Sequence, residues 1–142
     1  MIDVPTEDLR LMLESGYFYL AMRRFKEAKE VFEGVCTLAP ESDVPLVALG
    51  NVSFVETKFD EAIKTYKKAL DLAPKSAFAK AYLGEALFFN NQKADAEETL
   101  KEASKMDPHG KSGEFARSLL ELIHKGFNPN LEKEKGEKKK KG

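Results

Sequence analysis

The stretch from Ala48 to Pro74, ALGNVSFVETKFDEAIKTYKKALDLAP, decides the fold of this 142-residue chain. Gly50, Ala62 and Pro74 are the middle members of columns spaced by 34: Gly16, Gly50 and Gly84; Ala28, Ala62 and Ala96; Pro40, Pro74 and Pro108. Between these marks the register stays apolar, with Phe32, Tyr66 and Leu100, then Val35, Ala69 and Ala103, then Leu38, Leu72 and Met106. Phe25 and Phe59 also correspond, and Lys93 breaks that column in the third unit. A fixed period of this size marks a repeat architecture, in which each unit buries its apolar face against the next.

The columns have mechanical reasons. Within a unit the apolar residues recur at helical spacing, as in Phe32, Val35 and Leu38. Glycine and alanine stand where two helices approach closely and a larger side chain would overpack the contact. The prolines fall where the second helix of each pair has ended. Ser42 and Ser76 follow two of them as N-caps, and Pro45 lies in a first turn, where its missing donor is harmless. The spacing predicts helices at about 6–22, 25–38, 43–57, 59–72, 77–90 and 93–106. A seventh, at about 111–125, carries Phe115, Leu119, Leu122 and Ile123 on one face and reads as a terminal cap over the third unit. The expected architecture is all-α, with repeats at about 9–42, 43–76 and 77–110 in one domain over 1–126.

Composition sets limits on function. The chain is 42% hydrophobic and 33% charged, as in a globular protein. Its net charge of -1 gives no global attraction to nucleic acid or to an acidic membrane. Leu131 to Gly142 holds six lysines against three glutamates, which leaves -4 on the rest of the chain. Residues 127–142 read as a charged, lysine-rich disordered tail. Cys36 is the single cysteine and has no partner for an internal disulfide. With no basic segment or apolar run at the start, a reducing, cytoplasmic setting is expected.

No catalytic or metal site is expected. His109 and His124 stand at spacings unrelated to Cys36, so they form no zinc pattern. Gly110-Lys111-Ser112-Gly113 lacks the preceding glycine and strand of a phosphate loop. Acidic pairs such as Asp60-Glu61 and Glu97-Glu98 read as solvated helix faces. Cys36 shares an apolar stripe with Phe32 and Val35 and reads as a small buried hydrophobe. No cofactor is implied.

Leu49-Gly50, Ala62, Tyr66, Ala69 and Pro74 resemble the tetratricopeptide repeat family, as do Tyr19, Ala28, Phe32 and Pro40 before them and Leu83-Gly84, Ala96, Ala103 and Pro108 after them. Ser15, Ser53 and Lys93 depart from its pattern. The resemblance implies three helix-turn-helix repeats plus a capping helix in a right-handed superhelical solenoid, with the first helix of each pair lining a concave groove. The partner-facing positions it implies are Leu13, Tyr17 and Leu20 in the first repeat, Val47, Asn51 and Phe54 in the second, and Phe78, Tyr82, Phe88 and Phe89 in the third. The core-facing stripe of the fifth helix is filled by Leu83, Gly84 and Leu87, so Phe88 and Phe89 are expected to point elsewhere. Such an apolar groove suits a polypeptide with spaced apolar anchors. Leu13, Val47 and Ala81 stand where heat-shock-binding members of the family carry basic clamp residues, and only Asn51 matches that clamp.

Phe32, Val35, Cys36 and Leu38, followed by Ala48-Leu49-Gly50, are similar to the type III secretion chaperones of the tetratricopeptide type, with Ala39-Pro40 as a departure. That likeness implies a cytoplasmic chaperone for a hydrophobic segment of a needle or translocator subunit. The alternative is an oligomeric scaffold or adaptor unrelated to secretion, in which a second copy of the chain is a partner.

Overall fold

The computed structural model describes residues 4–130. The lysine-rich segment from Leu131 onward, expected to be disordered, lies outside the described residues. Seven helices follow in order: α1 (Thr6–Ala21), α2 (Phe25–Leu38), α3 (Val44–Val55), α4 (Phe59–Leu72), α5 (Ala77–Phe89), α6 (Lys93–Met106) and α7 (Lys111–His124). Each starts and stops within two residues of the expected limits.

The glycine column explains how the pairs close. A Cβ on Gly16 would overlap the Phe32 ring, one on Gly50 the Tyr66 ring, and one on Gly84 the Leu100 side chain. The large residue of each second helix therefore seats on the bare glycine of the first. Phe32, Tyr66 and Leu100 are fully buried there, each contributing roughly 1.5–3 kcal/mol of hydrophobic stabilisation.

The turns inside the pairs repeat as strictly. After α1, α3 and α5 the chain places Arg23, Thr57 and Asn91 at φ of 60°, 63° and 64°. Their amides donate to Leu20, Phe54 and Phe88, and the next amides to Tyr19, Ser53 and Leu87. This paired closure satisfies helix-end carbonyls that would otherwise lack partners. Gly126 and Phe127 close α7 in the same way on Ile123 and Leu122.

Of the expected caps, Ser76 accepts from the Ala79 amide at 3.0 Å and begins α5. Ser42 lies one residue ahead of the cap position of α3 and accepts from the Val44 amide at 3.2 Å. The α7 start is held from a distance, because the Asp107 carboxylate accepts from the Ser112 and Gly113 amides.

α1 touches α3, α3 touches α5, and α5 touches α7, so the first helices form a continuous inner layer with α2, α4 and α6 packed behind it. Helices in the middle of this layer are covered from several sides. α3 and α5 each bury seven residues, against two in α1. Of the expected face of α7, Leu119 and Ile123 are buried beside Gly113 and Ala116 and Phe115 packs on the core, whereas Leu122 points to solvent. Leu122 lies off that stripe, whose members recur every three or four residues. Phe127, expected in the tail, packs on Phe88 with ring centroids 6.1 Å apart.

Candidate binding groove

The inner layer carries two aromatic groups and one polar network. Phe78, Tyr82 and Phe115 stack in sequence, with Phe78 and Phe115 at 5.2 and 5.4 Å from Tyr82, and Tyr66 approaches Tyr82 from behind. At the other end of α5, Phe54 meets Phe59 and Phe89 at 5.3 and 5.2 Å. Phe54, Phe78, Tyr82 and Phe89 pack on the core yet keep part of their surface open. Edge-to-face arrangements such as Phe54 on Phe89 and Phe78 on Tyr82 hold the rings in place while leaving faces available. A depression of about 770 Å³ adjoins the second group and is lined by Phe54, Val55, Phe59, Phe89, Asn91 and Pro129 among others.

Tyr17, Asn51 and Glu85 occupy the same place in successive repeats. The Asn51 amide donates to the Tyr17 hydroxyl at 3.1 Å and accepts from the Tyr66 hydroxyl at 2.6 Å. The network ties the first repeat to the second and occupies the Asn51 side chain. Burial raises the Tyr66 and Tyr17 hydroxyls above the usual phenol range, the Asn51 bond partly opposing it at Tyr17. Glu85 breaks the polar column with a half-buried carboxyl, pushed up to about 7 by burial.

Several expected partner-facing residues need correction. Val47 has no exposed surface, and Leu20, Asn51 and Phe88 are buried as well. Phe88 does not turn out of the core, because α5 is covered by α4, α6 and α7 together and its buried arc exceeds a single stripe. Asn51 is spent on two tyrosines. Leu13, Tyr17, Phe54, Phe78, Tyr82 and Phe89 retain surface, Tyr17 being 36% exposed. Cys36 is half-buried rather than buried, and burial followed by the nearby Glu33 raises its thiol, which keeps it protonated. Among the described residues no cluster of three or more His, Cys, Asp or Glu side chains could hold a metal ion. No described helix is long and apolar enough to cross a membrane.

The fold and its inner face define an α-solenoid of helical hairpins. Sequence profiles described as tetratricopeptide repeat match residues 9–42 and 56–120, together more than half of the chain. The chain belongs to the tetratricopeptide repeat family, and its solenoid is the right-handed superhelix of that family. No curated protein sequence matches it. Among solved structures, it is similar to the type III secretion translocator chaperone SycD of Yersinia enterocolitica, with a TM-score of 0.72 and 19% identity over 83% of this chain and 91% of SycD. SycD has also been solved with a peptide of the translocator YopD. PcrH, known from Pseudomonas aeruginosa and solved in complex with the chaperone binding region of PopB, matches with a TM-score of 0.70 and 12% identity over 87% of this chain and 99% of PcrH. The first tetratricopeptide domain of Spaghetti (RPAP3), bound to an HSP90 peptide, matches with a TM-score of 0.70 and 19% identity over 89% of this chain and 98% of that one.

Proposed function

We propose that this protein is a non-catalytic, cytoplasmic chaperone that holds an apolar segment of a secreted subunit against its inner face. The observation that carries this reading is the set of four rings, Phe54, Phe78, Tyr82 and Phe89, which the core anchors but does not absorb. Rigid aromatic anchors of this kind suit a helix or extended segment with spaced apolar side chains. SycD and PcrH, which share the fold, hold segments of secretion translocators. The HSP90-peptide reading of the same fold is disfavoured by the residues present. Leu13, Val47 and Ala81 offer no cation for a carboxylate, and the Asn51 amide is engaged.

The test begins with identification of the polypeptide that co-purifies from the native source. That polypeptide is then co-expressed with wild-type chain and with Phe89→Asp. The expected result is a soluble complex with wild type and an insoluble guest with Phe89→Asp, the variant itself remaining folded by circular dichroism at the assay temperature. Equal capture by both would overturn the proposal.

A further inference from the structure

The inner face of α5 carries Phe78, Tyr82, Glu85 and Phe89, whose intervals of four, three and four place them on one side of the helix. Glu85 is the one charged member of this row. It stands roughly 4.5 Å along the helix axis from Tyr82 and roughly 6 Å from Phe89, with aromatic rings to either side. Its carboxyl is half-buried, and no cation or hydrogen-bond donor among the described residues offsets that burial. The nearby Tyr66 hydroxyl is committed to Asn51, and α7 places buried Leu119 at the position that matches Glu85 one repeat on. Lys80, the only other charged residue of α5, pairs with Glu102 of α6. Among the described residues no side-chain oxygen sealed from solvent lacks a partner, so the unpaired Glu85 carboxyl keeps its contact with water.

We infer that Glu85 receives a lysine or arginine side chain of the guest, set between apolar anchors that seat on Phe78 and Tyr82 to one side and on Phe54 and Phe89 to the other. The inference rests on the chaperone reading above and adds the chemistry of the guest to it. A guest laid over these rings expels the water that serves the carboxyl. An apolar side chain opposite Glu85 would leave the carboxyl buried without a partner, a cost that falls only on unsuitable guests. A guest serine or asparagine donates a hydrogen bond but brings no charge. A cation supplies both, and the pair gains strength as water leaves. Burial alone raises the carboxyl to about 7, and an arriving cation opposes that by favouring the ionised form. A long basic side chain suits the place because its apolar stem lies along the rings while its head reaches the carboxyl. The rings by themselves accept any apolar segment. The carboxyl chooses among them.

Calorimetric titration of the co-purifying guest segment, as a synthetic peptide, into the full chain tests the inference. The expected guest carries a lysine or arginine between apolar residues, and its replacement by methionine should weaken binding by roughly tenfold or more. Glu85→Gln should weaken binding to a similar degree while leaving the free chain at least as stable, a split that a merely structural role would not produce. Glu85→Lys should weaken it further, and exchanging the guest cation for glutamate should restore binding to that variant. Circular dichroism before titration checks that both variants are folded, and the guest replacements test the same pair on the wild-type chain. A guest segment without a basic residue would overturn the inference, as would equal affinity for wild type and Glu85→Gln, or failure of the exchanged pair to recover. Tighter binding by Glu85→Lys would mean that this chain's own lysines, from Lys133 to Lys141, compete for the carboxyl, and would overturn it too. Phe89→Asp keeps the two proposals apart. If it loses the guest while Glu85→Gln retains it, the chaperone reading stands and only the cation site falls; if it retains the guest, both fall.

Discussion

The two ends of the solenoid meet the same physical problem in opposite ways. A stack of hairpins has an unpaired apolar face at each end, because every repeat buries itself on its neighbours. At the C-terminal end α7 packs on α5 and α6, buries Gly113, Ala116, Leu119 and Ile123, and is held at its start by Asp107. At the N-terminal end α1 buries Gly16 and Leu20 and leaves Leu11, Phe18 and Met22 open. One end is closed by the chain itself. The other keeps its apolar side chains in contact with solvent. The difference locates where a partner can be added without unfolding anything.

Substitutions that create cavities should show the contrast most strongly. Phe32→Ala removes the ring seated on Gly16 and stacked on Tyr17 at 5.0 Å, and should lower stability by about 3–5 kcal/mol. Ile123→Ala, at the closed end, should lower it by about 2–5 kcal/mol. Phe18→Ala at the open end should change the monomer by about 0.5 kcal/mol or less, since nothing packs on that ring. Urea unfolding of dilute protein measures all three. A large loss from Phe18→Ala under those conditions would show that the open end is not open.

The grid of 34 was enough to place the six repeat helices, because glycine, proline and the large residue opposite each glycine report local geometry, and α7 was legible from its own apolar spacing. It was not enough to place the groove. The repeat position of Val47, Asn51 or Phe88 says which way a side chain leaves its own helix, and not how much its neighbours cover it. α3 and α5 lie between other repeats, so residues that would be open on an end helix are enclosed there. The open stripe on α1 was obscured for the converse reason. Leu9, Leu11, Met12 and Leu13 place apolar residues around much of the helix, and periodicity does not reveal which side lacks a neighbour. The state of Glu85 depends on burial, which neighbouring helices impose and which has no local signature.

Moving inward from the ends, Glu85 tests whether the middle of the layer is as dry as its burial indicates. Its carboxyl is raised from 4.5 to about 7. Between those values the folded chain retains a proton that the unfolded chain has released, so stability should fall as pH rises through this window and level off above it. Glu85→Gln should remove that slope and gain on the order of 1–3 kcal/mol at pH 8. Thermal unfolding of both proteins from pH 5 to pH 8 measures the effect. Parallel curves would mean that the Glu85 site is as wet as the exposed edge of α1.

The smallest expected effects compare how the two end helices terminate. Both close with the same pair of hydrogen bonds, Arg23 and Arg24 on Leu20 and Tyr19, Gly126 and Phe127 on Ile123 and Leu122. The left-handed position is Gly126 at one end, at φ 87°, and Arg23 at the other, at φ 60°. A side chain in that conformation costs roughly 1–2 kcal/mol, which glycine avoids while giving up some unfolded-state entropy. Arg23→Gly should therefore stabilise the monomer by about 0.5–1 kcal/mol, and Gly126→Ala should destabilise it by about 1 kcal/mol. Urea unfolding of the two variants beside wild type measures the contrast, and equal shifts of the same sign at both ends would overturn it.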